Sequence, residues 1–124
     1  MSITALGYIA DILSDGDINY EFGQWSSTPV PYPYWVGEYT ESEAINEDGM
    51  QETTFILTGT TRGSWYELEQ DKEKIEKLFK NATAILPNGN GIAVWYSDAL
   101  TVPVDDMELK RIQINLRINE WKVD

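Results

Sequence analysis

Residues 52–79, ETTFILTGTTRGSWYELEQDKEKIEKLF, change period midway, and that change decides the fold. Residues 52–61 (ETTFILTGTT) are rich in Thr, Phe, Ile and Leu, side chains that suit a pleated, half-buried strand. From Ser64 the spacing turns helical. Ser64-Trp65-Tyr66-Glu67 matches the S-x-x-E capping box, whose Ser accepts from a backbone donor that the first turn leaves free. Loss of such a cap costs about 0.5–2 kcal/mol. Trp65, Leu68, Ile75, Leu78 and Phe79 then share one helical face, with Glu and Lys elsewhere. Glu73 with Lys77 and Glu76 with Lys80 are i,i+4 pairs in the favourable orientation, worth ~0.3 kcal/mol each. The spacing predicts a helix over 65–81 that follows directly on a strand.

Working outward, residues 34–40 (YWVGEYT) read as a second strand, and residues 41–51 (ESEAINEDGMQ) as a flexible acidic loop with Asp48-Gly49 as its turn signal. Before them, Pro29, Pro31 and Pro33 hold an extended, polyproline-like segment that cannot be a central strand. Residues 18–22 (INYEF) alternate as a short strand. Ser2 can cap an opening helix in which Ile3, Leu6, Ala10 and Leu13 fall at helical spacing, widened by Ile9 and Ile12. Downstream, residues 83–86 and 92–96 flank Pro87-Asn88-Gly89-Asn90-Gly91 as a hairpin. Ile112, Ile114, Leu116 and Ile118 alternate with Arg111, Gln113, Asn115 and Arg117, the pattern of an antiparallel strand packed on one side. The expectation is a single α+β domain over 1–124, ordered α-β-β-β-α-β-β-β. Two helices pack on a mostly antiparallel sheet of about five to six strands.

Charge divides the chain at Arg62, its first base. Residues 1–61 hold ten acids and no Lys or Arg; residues 62–124 hold the other eleven acids and all nine bases. The net charges of −10 and −2 sum to the −12 of the whole chain. Such a balance argues against direct binding of nucleic acid, whose affinity comes largely from Lys and Arg. There is no His and no Cys. Ser–His and Cys–His nucleophilic systems, His/Cys zinc sites and disulfide scaffolds are therefore excluded. No stretch approaches the roughly 18 apolar residues that span a bilayer. The start, Met1-Ser2-Ile3-Thr4, lacks a basic n-region, so the expectation is a soluble protein made and kept, or assembled, inside a cell.

Motifs with chemical content are few. Asp15-Gly16-Asp17-Ile18-Asn19 opens like a calcium loop, but the sixth position is Tyr20 rather than Gly and the twelfth is Ser26 rather than Glu, which favours a helix-stop turn. The three prolines lack the PxxP spacing of an SH3 ligand. Paired carboxylates could perform glycosidase chemistry, yet among twenty-one acids the sequence selects no pair. No enzyme activity and no cofactor are expected.

The order of elements resembles a family of bacteriophage tail-terminator and tail-completion (head-tail joining) proteins. The amphipathic opening helix, YWVGEYTE (34–41), the acidic loop, residues 52–79, the PNGNG hairpin and ELKRIQINLRINEW (108–121) carry the resemblance, which spans nearly the whole chain. It implies a virion protein of the tail or neck, made in the bacterial host cytoplasm. Subunits, monomeric in solution before assembly, would form a ring, a hexamer in the virion, that ends tail-tube polymerisation and meets the head-completion proteins. An acidic lumen would let DNA pass without sticking. The charge split suggests in addition that the acidic first half of one subunit, with Glu41, Glu43, Glu47 and Asp48 in its loop, faces Lys110, Arg111, Arg117 and Lys122 of the next, a heterologous contact that can close into a ring. The alternative is a small acidic adaptor, or a DNA-mimic inhibitor of a basic partner.

Overall fold

The computed structural model describes residues 1–42 and 49–123. Its elements run α1 (Ile3–Asp15), β1 (Tyr20–Phe22), β2 (Tyr34–Glu41), β3 (Met50–Arg62), α2 (Trp65–Leu78), β4 (Ala82–Ile85), β5 (Gly91–Val102) and β6 (Leu109–Trp121). The chain is α+β in the expected order. All six strands join one sheet, β1-β2-β3-β6-β5-β4. The sheet is mixed, so the expectation of a mostly antiparallel sheet is met in part: β1 runs parallel to β2, and the other four pairings are antiparallel. The cause is the proline-bearing connection 23–33. It is too long for a hairpin, and it brings the chain back to start β2 beside β1 in the same direction.

β3 and β6 form the spine. Their register runs unbroken from Met50 opposite Trp121 to Arg62 opposite Leu109. One sheet face carries Phe55, Leu57, Ile92, Val94, Ile112, Ile114, Leu116 and Ile118, all buried. Ala5, Ile9 and Leu13 of α1, with Leu68, Ile75 and Phe79 from α2 and its cap, cover that face. Burying each of the larger side chains contributes about 1.5–3 kcal/mol. Trp35 of β2 fills the seam. Its indole lies over Gly59, where a Cβ would come within 2.6 Å of three ring atoms. Its Nε1 donates to Asp71 of α2 at 3.0 Å. Gly59 thus leaves room for the wedge that ties β2 and β3 to α2.

Both helix starts follow the sequence. Ser2 Oγ accepts from the Ala5 N–H at 3.0 Å, and Ser64 Oγ from the Tyr66 N–H at 3.1 Å. Other expectations at α2 need correction. Trp65 is exposed, because at the first turn the stripe has not yet reached the sheet. Neither Glu73 with Lys77 nor Glu76 with Lys80 closes an ion pair among the described residues; the pairs found there are Met1 amine–Glu41, Arg62–Asp106 and Arg62–Glu108. Long exposed side chains lose rotamer freedom on pairing, which cancels much of the gain. Residues 24–33 contain no strand. They are pinned where the Glu21 carboxylate accepts from Ser26 Oγ at 2.6 Å and from the Ser26 and Ser27 N–H groups, bonds that hold its pKa below the usual value. Among the described residues no helix is long and apolar enough to cross a membrane.

Candidate interaction surface

The helices cover one sheet face and leave the other open. Alternation decides what each strand contributes there: Tyr34, Val36, Glu38 and Thr40 from β2, Glu52, Thr54, Ile56, Thr58 and Thr60 from β3, Arg111, Gln113, Asn115 and Arg117 from β6. Trp95, Asp98 and Leu100 of β5 extend the rows outward. The face is polar with an apolar thread, and its cross-strand neighbours bond: Arg111 Nε donates to Thr60 Oγ1 at 3.1 Å, and Asn115 Nδ2 to Asp98 Oδ1 at 2.6 Å. Two shallow depressions interrupt it. One, about 200 Å³, has Tyr34, Val36 and Thr58 around it and sits between Glu38 and Arg111. The other, about 310 Å³, is bounded by Thr40, Glu52, Thr54 and Arg117.

Of the eight residues expected at an interface, the five described ones scatter over this frame. Arg111 and Arg117 share the open face, roughly 20 Å apart along β6. Lys110 points the other way, and its Nζ donates to the Met107 carbonyl at 2.7 Å. Lys122 lies just past β6, its N–H bonded to the Gly49 carbonyl. Glu41 is the last residue of β2, where it accepts from Thr53 Oγ1 at 3.0 Å and pairs with the Met1 amino group. The strands accordingly take both ends of the expected loop, Glu41 into β2 and Met50 with Gln51 into β3. Glu43, Glu47 and Asp48 lie outside the described residues.

The division at Arg62 has a spatial counterpart. β1, β2 and β3 form one side of the sheet and β6, β5 and β4 the other, because the chain crosses from half to half at the β3–β6 spine. α1 rests against β1, and α2 against β3 and β6. Apart from Arg62 at the end of β3, the strands of the first side carry no base. Lys72 of α2 borders Ala99, Leu100 and Thr101 of β5, Lys77 lies by Tyr96, and Arg111 and Arg117 stand on β6.

Two internal features escaped the sequence reading. Glu120 is 1% exposed and accepts from the Ser2 N–H (3.0 Å), Ser2 Oγ (2.6 Å) and Asn90 Nδ2 (2.7 Å). It ties the start of α1 to the β4–β5 turn. Its signal was a carboxylate where the alternation of β6 calls for an apolar residue. Residues 97–102 belong to β5, beyond the strand expected over 92–96. A register shift lies between Tyr96 and Asp98. Among the described residues no three His, Cys, Asp or Glu side chains are grouped to hold a metal ion. Neither protein-family models nor curated proteins give a match to this chain.

Proposed function

We propose that this protein is a structural subunit of a phage tail, one that assembles with its own copies into a ring closing the tail tube and meeting the head-completion proteins. The observation that supports this most is the two-sided sheet: β1, β2 and β3 carry Glu21, Glu38, Glu41 and Glu52 and no base before Arg62, whereas β6 carries Lys110, Arg111 and Arg117. Charges near the β3–β6 seam can pair within one copy, as Arg62 does with Glu108, but those farther out on the two sides can meet only on neighbouring copies. Each copy then offers unlike patches, the condition for a heterologous contact and ring closure. The open face supplies area, and Arg111 and Arg117 supply directional donors to carboxylates.

Sedimentation of the full chain at low and high salt, alone and with tail-tube protein, tests the reading. Assembly is expected with the tube protein and should weaken as salt screens the contact. A strictly monomeric species under every condition overturns it. Replacing Glu43, Glu47 and Asp48 with Ser, while keeping the internally bonded Glu41, should leave melting unchanged and impair assembly. Normal tail length and head attachment in that variant would remove the acidic segment from the interface.

A further inference from the structure

Among the described residues, the β5 edge of the sheet is covered along only part of its length. β4 covers β5 only where Ala82 to Ile85 oppose Val94 to Gly91. The chain leaving α2 closes the next position, where the Tyr96 N–H donates to the Phe79 carbonyl at 3.0 Å. From Asp98 to Val102, β5 pairs with β6 alone among the described residues, and does so in regular register. In such a strand, alternate N–H and C=O groups point outward without a partner. The opposite edge is blunted, because β1 is three residues long and three prolines follow it. Residues 99–102 are Ala-Leu-Thr-Val, with no charge, Pro or Gly to discourage pairing. Leu100 is 47% exposed at the middle of the run. Beside the edge, under α2, lies a groove of about 180 Å³ bordered by Ala99, Leu100, Thr101 and Ile112, with Glu69 and Lys72 on the helix side.

We propose that this edge pairs with itself: a second copy of the chain adds its own residues 98–102 antiparallel, about a two-fold axis at Leu100. Antiparallel pairing places residues of like face opposite each other, and this register meets that condition. Leu100 faces Leu100 of the second copy, Ala99 faces Thr101, and Asp98 faces Val102, so no like charges oppose across the strands. The charges bordering the groove are self-complementary. Glu69 and Lys72 border the same groove, so each copy presents one acid and one base beside the paired edge. The contact is isologous and uses one edge twice, so it stands independently of the ring, which joins unlike patches. Opposing it is the −12 charge that each copy carries. Pairing should therefore strengthen as salt rises, the reverse of the ring contact.

The chain lacks Cys, so Leu100→Cys introduces a single thiol. Oxidation of this full-length variant at high salt should give a disulfide-linked dimer, because directly opposite Cβ atoms lie within about 5.5 Å. Asp11→Cys, on exposed α1, should cross-link far less under the same conditions. Leu100→Lys sets like charges face to face and should weaken the sedimenting dimer at least about tenfold while leaving the melt unchanged. The inference is overturned by a wild-type chain that stays monomeric to about 0.5 mM at high salt. It is equally overturned if Leu100→Lys dimerises as well as wild type, or if Leu100→Cys cross-links no better than Asp11→Cys.

Discussion

Replacing Glu120 with Gln tests the most concentrated polar contact in the fold. The carboxylate is almost fully buried and accepts three bonds: Oε1 from the Ser2 N–H, Oε2 from Ser2 Oγ and Asn90 Nδ2. An amide has one accepting oxygen. If that oxygen keeps Ser2 Oγ and Asn90, its NH₂ group confronts the Ser2 N–H. Ser2 Oγ cannot reverse freely either, since it already accepts from the Ala5 N–H at the cap of α1. The variant thus loses one bond outright, and the remaining two lose their charge assistance. Bonds to a charged group are worth about 1.5–3 kcal/mol and neutral ones about 0.5–1.5, while relief of carboxylate desolvation offsets part of the loss. The net expectation is about 2 kcal/mol, a fall in Tm of roughly 8 °C for a chain of this size.

The pH dependence provides the control. Burial pushes the Glu120 pKa up, but bonds from Ser2 and Asn90 and the nearby amino-terminal charge outweigh it, holding the group below its ordinary 4.5. A carboxylate whose folded pKa is depressed contributes stability above its unfolded value and loses it as pH falls through the folded value. Calorimetric melts of wild type and Glu120→Gln should therefore differ most near pH 7 and converge as pH drops below 4.5. A Ser2→Ala, Glu120→Gln double-mutant cycle should show coupling of about 1 kcal/mol. Equal melting of wild type and Glu120→Gln at neutral pH, or a gap that persists unchanged to about pH 3, would refute this account.

Gly59→Ala should be among the most damaging small changes, by about 3 kcal/mol in urea unfolding, because its Cβ strikes the fully buried Trp35 ring. Ser64→Ala removes an exposed cap from the Tyr66 N–H and should cost about 0.5–1 kcal/mol in the same assay. Burial raises the Asp71 pKa, with the Trp35 bond and Lys74 acting against it, so ionisation of Asp71 weakens the fold as pH rises. Asp71→Asn keeps an acceptor for Trp35 and should melt at or slightly above wild type at pH 7; a clear fall in Tm there would contradict the burial argument.

What the sequence disclosed, and what it hid, follows from the range of each signal. The cap of α2, the alternation of β6 and the Asn-Gly turn before β5 are local, and all appear where the pattern put them. Parallel pairing of β1 with β2 depends on how a proline-bearing connection closes in space, which no local spacing encodes. The bulge near Ser97 shifts the period within one strand, so a rule that counts by two stops at Tyr96 and misses the exposed run beyond it. Glu120 was legible only as an exception, an acid on the apolar face, and its meaning needed Ser2 and Asn90 brought in from distant parts of the chain. The expected interface residues fared similarly. Arg111 and Arg117 share a face because six is an even step along a strand, whereas Lys110, one residue away, must point to the other. The split at Arg62 proved spatial for a topological reason: β3 and β6 are sheet neighbours, so the two halves of the chain lie side by side instead of interleaving. Had β6 inserted between β1 and β2, the same −10 and −2 would have mixed across the sheet. The charge pattern acquires two sides only through that one pairing, which is why the assembly reading depends on the β3–β6 register more than on any single acid or base.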